Sequence, residues 1–202
     1  MSDTEGLRAQ AGSLGVVLDP SQASRLTRFE ELLADRAIPL GVVSPSDANR
    51  IRERHILDSL RAAPVVEDAD LAADLGSGAG LPGVVVAIAL PRLRMLLVER
   101  RPRRAALLEL VVEELGVSNA TVVAGRVAEM PGPVDVALAR AFAPMDEAWA
   151  QARGILRPGG RLVYFAGGET TVPVAPEGSA ILEVLRTPVL ESAGALVIMT
   201  RQ

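Results

Sequence analysis

Three charged residues stand at or inside apolar runs, and a glycine-rich turn joins two of them. Asp74 sits within the run from Ala69 to Leu75, which reads as a short strand. Gly76-Ser77-Gly78-Ala79-Gly80-Leu81-Pro82-Gly83 follows it. Glycines there allow a tight turn with φ values that other residues resist. Val84 to Leu90 reads as a buried helix ended by Pro91, and Arg94 to Val98 as the next strand, closed by Glu99. A carboxylate about 20 residues beyond such a turn suits a ribose diol. The chemistry implied is that of an α/β sheet holding a nucleotide-like ligand against bare backbone. Gly76-x-Gly78-x-Gly80 departs from the dinucleotide fingerprint G-x-G-x-x-G. Pro82 at the helix start also removes an N–H, leaving fewer donors for a pyrophosphate. Asp74 is expected to organise the turn through hydrogen bonds to backbone N–H groups.

The third charge is Arg140. It closes the apolar strand from Val134 to Ala139, where a cation is odd without an anionic partner. Gly125-Arg126-Val127-Ala128 follows another strand, Ala120 to Ala124. Gly76, Glu99, Arg126 and Arg140 all fall at strand ends, so one edge of a sheet collects every residue that could do chemistry. His55 is the single histidine, on a helix with apolar neighbours, where a structural role is at least as good a reading as a working one.

The elements that must position these residues alternate strand and helix from Leu71 onward. Arg101 to Leu115 is an amphipathic helix stopped by Gly116. Met145 to Leu156 is a helix, Pro158-Gly159-Gly160 a turn, and Arg161 to Ala166 a fifth strand. Gly167 to Gly178 reads as a loop. Ala180 to Pro188 and Ala195 to Thr200 read as two final strands with no helix between them, which predicts an antiparallel end to the sheet. Before the sheet, Ala9-Gln10-Ala11 can start a helix interrupted by Gly12 and Gly15. Asp19-Pro20-Ser21 caps a helix that runs to about Arg36. Ser44-Pro45-Ser46-Asp47 caps another, from about Ala48 to Arg61, which Pro64 closes. The expectation is a three-layer α/β sandwich, Rossmann-like, with a mostly parallel seven-stranded sheet. Residues 1–63 form a helical extension and residues 64–202 the ligand-binding domain.

Composition narrows the classes. Of 202 residues 49% are hydrophobic, ample for a core, yet only 2% are aromatic, so few rings are free to stack on a base. No cysteine is present, which excludes disulfides and thiolate chemistry. One histidine makes a histidine-based metal site improbable, and no metal is expected. The formal charge of -4 disfavours nucleic-acid binding over the whole surface and still allows a local patch. All 21 basic residues are arginine. Met1 to Gln10 is polar, with no signal-peptide pattern, and no apolar run approaches the ~20 residues that span a bilayer. A cytoplasmic protein with no membrane partner is the expectation.

Strand, GxGxG, helix, strand and acid resemble motifs I and II of class I S-adenosylmethionine-dependent methyltransferases. Arg54-His55-Ile56-Leu57-Asp58-Ser59-Leu60, Asp74 to Gly83, Gly125 to Glu129 and Ala139-Arg140-Ala141-Phe142 together resemble the ribosomal RNA small-subunit methyltransferase G, or GidB, family. The resemblance runs from the second helix to the fifth strand. It implies methyl transfer from S-adenosylmethionine to N7 of a guanine in 16S ribosomal RNA, on naked RNA or the small subunit, by a monomer. It implies further that Gly76, Gly78 and Leu81 line the methionine and ribose of the cofactor and that Glu99 holds the ribose hydroxyls. Val127 and Ala128 would contact the adenine, with Glu129 near its amino group. Arg140 would meet the methionine carboxylate or the target base, Arg126 would meet RNA phosphate or the base, and these two arginines carry the catalytic expectation. Arg54 and His55 would sit at the mouth on the substrate side. The arginines between Arg92 and Arg104 form either an RNA-facing patch or a solvated helix face. The chain departs from the family at Gly167 and Gly194, where a lysine and an arginine are usual. That motivates a second reading: a cofactor-binding member with another substrate or a non-catalytic binding role. A nicotinamide-type reductase is the remaining alternative, disfavoured by the turn.

Overall fold

The computed structural model describes residues 3–167, 175, 179–190 and 193–202. Seven strands form one sheet: β1 Leu71–Leu75, β2 Arg94–Val98, β3 Ala120–Val123, β4 Val134–Arg140, β5 Leu156–Phe165, β6 Ser179–Leu185 and β7 Leu196–Arg201. Their order is β3-β2-β1-β4-β5-β7-β6. The first five pair in parallel, and β7 runs antiparallel to both β5 and β6. The antiparallel end expected from the missing helix is present. The strand order reverses beside β1, between β2 and β4, so the switch-point crevice lies at the C-terminal ends of these strands.

Among the described residues seven helices surround the sheet: α1 Asp3–Gly12, α2 Pro20–Leu32, α3 Asp58–Leu60, α4 Ala63–Val66, α5 Gly83–Ala89, α6 Pro102–Leu115 and α7 Met145–Ile155. The first helix starts earlier than the sequence suggested and ends at the expected Gly12. Asp19 caps α2 reciprocally: its carboxylate accepts the Gln22 N–H at 2.8 Å, and Gln22 Oε1 accepts the Asp19 N–H at 2.8 Å. The same Gln22 donates to the carbonyls of Ile88 and Ala89, at 3.0 and 3.1 Å, closing the end of α5. Between α2 and α3 the chain coils less regularly. A wide coil over Leu33–Ala37 continues α2 to the end expected near Arg36. A tight turn over Pro45–Arg50 and a wide one over Arg52–Leu57 run into α3, so the helix expected from about Ala48 to Arg61 is an irregular series of turns. Pro64 does not close that helix; it opens the one-turn α4, where its missing N–H is harmless. Gly116, at φ 61°, ends α6 as expected.

One apolar cluster joins α1, α2, α5 and α6 to one face of the sheet, from Leu7 to Leu196. The extension's core is thus continuous with the sheet's. A smaller cluster under α7, around Trp149 and Ala152, covers the other face. Pro158-Gly159-Gly160 lies inside β5: pairing jumps from Val134–Leu156 to Val136–Arg161, so the turn bulges out and the strand resumes. Most of the expected loop from Gly167 to Gly178 falls outside the described residues. No helix among the described residues is long and apolar enough to cross a membrane.

Candidate functional site

The glycine turn leaves β1 with Gly76, Gly78 and Gly80 at positive φ, as the sequence required. Asp74 holds it from below. The carboxylate is fully buried, and its Oδ2 accepts the Gly83 N–H at 3.0 Å. A Cβ on Gly83 would stand 2.6 Å from that oxygen, so only glycine lets the turn sit this close. Burial raises the Asp74 pKa to about 7, and its Oδ1 has no hydrogen-bond partner among the described residues.

Glu99, at the tip of β2, is 4% exposed. Its Oε2 accepts the Gly78 N–H at 3.1 Å and its Oε1 the Arg101 N–H at 2.8 Å. Each oxygen keeps a further lone pair, which fixes the carboxylate while leaving it able to accept two more hydrogen bonds. It lines a hollow of about 560 Å³ with Gly76, Arg126, Val127 and Ala128. The volume is that of a small-molecule site. Phe142 and, from α7, Glu147 and Gln151 complete the wall, and Arg100, Arg101 and Arg104 stand along it. The Phe142 ring covers the turn so closely that a Cβ on Gly76 would lie 2.6 Å from it. Glu129 turns inward to accept the Arg126 N–H at 2.8 Å, which orders the Gly125–Val127 segment.

Arg140 does not join Glu99. Those two strand tips flank β1 on opposite sides, about 10 Å apart at the usual strand spacing. Arg140 lines a second hollow, of about 310 Å³, with Arg54, Asp58, Tyr164, Gly167 and Gly194. Its guanidinium is occupied: Nε faces Asp58 Oδ2 at 3.2 Å, and Nη2 donates to the Arg54 carbonyl at 2.6 Å and lies 3.1 Å from His55 Nδ1. Burial pushes its pKa down, against the pull of Asp58. Since arginine only donates, His55 Nδ1 accepts and the ring proton sits on Nε2. That nitrogen is 3.3 Å from Asp47 Oδ2, near enough to attract but not aligned as a hydrogen bond. Burial, then the Arg140 charge, lowers the His55 pKa and keeps the ring neutral. Asp58 also binds Arg61, whose Nη1 donates to the Gly194 carbonyl at 2.8 Å and whose guanidinium stacks 5.8 Å above the Phe165 ring.

Ala141 lines both hollows and carries the one positive φ, 49°, found at a non-glycine among the described residues. A strained backbone joint therefore separates the two hollows.

A family model described as rRNA small subunit methyltransferase G (GidB) matches residues 22–175. The chain belongs to that family. A relative of that name in Mycobacterium leprae (strain TN) is 41% identical over 145 residues, 69% of this chain and 59% of the relative. One in Streptomyces avermitilis is 35% identical over 175 residues, 84% of this chain and 74% of the relative. The chain thus spans under two thirds of the mycobacterial relative's length. Among solved structures, a SAM dependent methyltransferase from Aquifex aeolicus superposes with TM-score 0.60 at 13% identity, covering 83% of this chain and 99% of that one. MtNAS, in complex with MTA and tNA, superposes with TM-score 0.62 at 17% identity, covering 98% of this chain and 75% of that one. At such identities the likeness is one of fold, and it confirms the expected Rossmann-like α/β architecture.

Against that family background, Gly76, Glu99, Arg126, Val127 and Ala128 line one hollow, and Gly78 reaches it through its bond to Glu99. Leu81 does not line it; its side chain packs on the large apolar cluster. Arg54 and Arg140 line the second hollow, with His55 buried behind them. Sequence reasoning gave no role to Asp58, Arg61, Glu147 or Gln151. The last two lie four apart on α7, hence on one face, a signal that was available.

Proposed function

We propose that the chain transfers the methyl group of S-adenosylmethionine to N7 of a guanine in 16S ribosomal RNA, on naked RNA or the small subunit, as a cytoplasmic monomer. The observation that carries this reading is Glu99. Its two oxygens are fixed by backbone N–H groups, and it lines a hollow of about 560 Å³ formed after a glycine turn. A ribose diol offers the two donors that arrangement lacks. The residues present fit the cofactor. Glu99 would hold the ribose hydroxyls, Gly76 and Gly78 the backbone approach, and Val127 and Ala128 the adenine. When bound, the cofactor supplies an electrophilic methyl on a sulfonium.

The protein's part is positioning. N7 of guanine carries an in-plane lone pair and no proton, so the step needs no general base. His55, the sole histidine, is locked neutral in an ion-pair network and would act as a support. Arg140 would order the second hollow for the base, and Arg54 and Arg126 would meet the RNA at its edges. Access needs an unpaired or extruded guanine.

A second reading, a member that binds the cofactor but acts elsewhere, draws on Gly194. A Cβ there would collide with the Ala166 carbonyl and lie 2.8 Å from the Gly167 carbonyl, so the two positions lacking the family's cations are packed on one another. Mass spectrometry of 16S RNA from a strain lacking the gene, with and without complementation, separates the two. Loss and restoration of 7-methylguanosine is expected; an unchanged level, beside calorimetric binding of S-adenosylhomocysteine, leaves the second reading.

A further inference from the structure

Arginine is the chain's only strong cation, and its pairing is uneven. Arg28, Arg52, Arg61 and Arg140 each face a carboxylate, and others do the same. Arg100, Arg101, Arg104 and Arg126 do not. All four line the Glu99 hollow, none has an ion pair among the described residues, and three of them are exposed. The acids on that wall do not neutralise them: Glu99 is held by the N–H groups of Gly78 and Arg101, and Glu147 faces solvent alone. The 14-residue α6 begins beside them at Pro102 with no side-chain cap, and its positive end adds to the local potential.

Four guanidiniums without an ion pair around one mouth, on a chain of net charge -4, favour docking of a polyanion at this face. A single phosphate engages one or two guanidiniums. Four, arranged about a hollow of this size, suit consecutive phosphates. We infer that the phosphodiester backbone of the RNA substrate lies across the mouth of the Glu99 hollow, held by Arg100, Arg101, Arg104 and Arg126. This rests on the reading that the substrate is RNA. It has a kinetic consequence. RNA in that place covers the opening through which the cofactor exchanges, so the cofactor must enter first and its product leave after the RNA.

The test measures binding of the full chain to deproteinised 16S RNA and to 30S particles over a range of salt. It compares the wild type with the triple variant Arg100→Gln, Arg101→Gln, Arg104→Gln. A control pair, Arg92→Gln with Arg94→Gln, removes two exposed arginines at the opposite end of β2. At about 0.7 per phosphate contact with single-stranded RNA, the triple variant should lose roughly 2 from the slope of log K against log salt, and the control pair nothing. A circular-dichroism melt within a few degrees of wild type shows that the variant folds. Release of S-adenosylhomocysteine from the wild type should slow at least several-fold when RNA is present, and not in the triple variant. An unchanged slope in the triple variant, or an equal fall in the control pair, overturns the inference. So does a fall seen with 30S particles but not with bare RNA, which would assign the rim to a protein partner. A rim variant of unchanged slope beside a wild type that methylates sinks the rim alone. A wild type with the expected slope that transfers no methyl sinks the methyltransferase reading alone.

Discussion

The two hollows share a sheet rim and one residue, Ala141, yet use arginine in opposite ways. Around Glu99 the guanidiniums carry no ion-pair partner among the described residues, while the carboxylate beneath them is immobilised by backbone N–H groups. Around Arg140 the guanidiniums are consumed by Asp47, Asp58 and backbone carbonyls. A free charge is available to a ligand; a paired and buried one is a strut, because taking it from its partner leaves an uncompensated ion. The arginines of the first hollow are free to receive, whereas those of the second hold the extension against the end of β4. The cations the family places at Gly167 and Gly194 are missing from the strut side. There Arg61, arriving from the end of α3, already occupies the Gly194 carbonyl and the Phe165 face.

Removing a strut should therefore cost fold, and removing a receptor group should cost ligand. Arg140→Ala gives the largest effect. It strips Asp58 of one partner and leaves His55 Nδ1 and the Arg54 carbonyl without their donor. About 3 kcal/mol of stability is expected to go, a fall of roughly 10 °C in Tm by calorimetry. Affinity for S-adenosylhomocysteine should stay within a few-fold at a temperature where the variant is folded. A large loss of that affinity with an intact Tm would move Arg140 to the receiving side and erase the contrast.

Glu99→Gln should show the reverse. The amide keeps one acceptor for a backbone N–H and turns a donor toward the other, so folding suffers by about 1 kcal/mol. S-adenosylhomocysteine affinity should fall at least roughly tenfold by calorimetric titration, which is about 1.4 kcal/mol. Undiminished binding would remove the ribose role of Glu99 and with it the observation on which the proposed function stands.

What the sequence disclosed follows the range of the signal. β2 and β4 have the expected bounds, Arg94–Val98 and Val134–Arg140, because a charged residue abruptly ends each apolar run. Asp19 and Gly116 mark helix ends by local hydrogen bonding and backbone freedom, which a few neighbouring residues encode. The Glu99 side of the site was legible for the same reason: turn, helix and acid are consecutive in the chain. Which hollow Arg140 would line was not legible, because it and Glu99 both end a strand and nothing local says which side of β1 each strand takes. Asp58 was silent because its partner Arg140 lies far along the chain, across a fold not yet known. Leu81, four residues before Val85, follows the apolar pattern of α5 more than the glycine pattern of the turn.

The remaining effect is set by pH, and it pits the two regions against one another. His55, on the strut side, has its pKa lowered from 6.5. As pH falls below 6.5 the unfolded chain takes a proton that the folded one refuses, so this group makes stability decrease toward acid. Asp74, under the glycine turn, is raised from 3.8 to about 7. Between those values the folded chain holds a proton that the unfolded one has lost, so this group makes stability decrease as pH rises from about 4 to about 7. The two slopes oppose each other and flatten the wild-type curve around pH 6. Asp74→Asn should unmask the histidine limb, with urea midpoints rising as pH climbs toward 6.5. His55→Gln should unmask the aspartate limb, with urea midpoints falling from about pH 4 toward neutrality. S-adenosylhomocysteine affinity should follow the His55 limb not at all. If it does, protonation of the strut network reaches the Glu99 hollow, and Ala141, the one residue common to both walls, is where that coupling would have to pass.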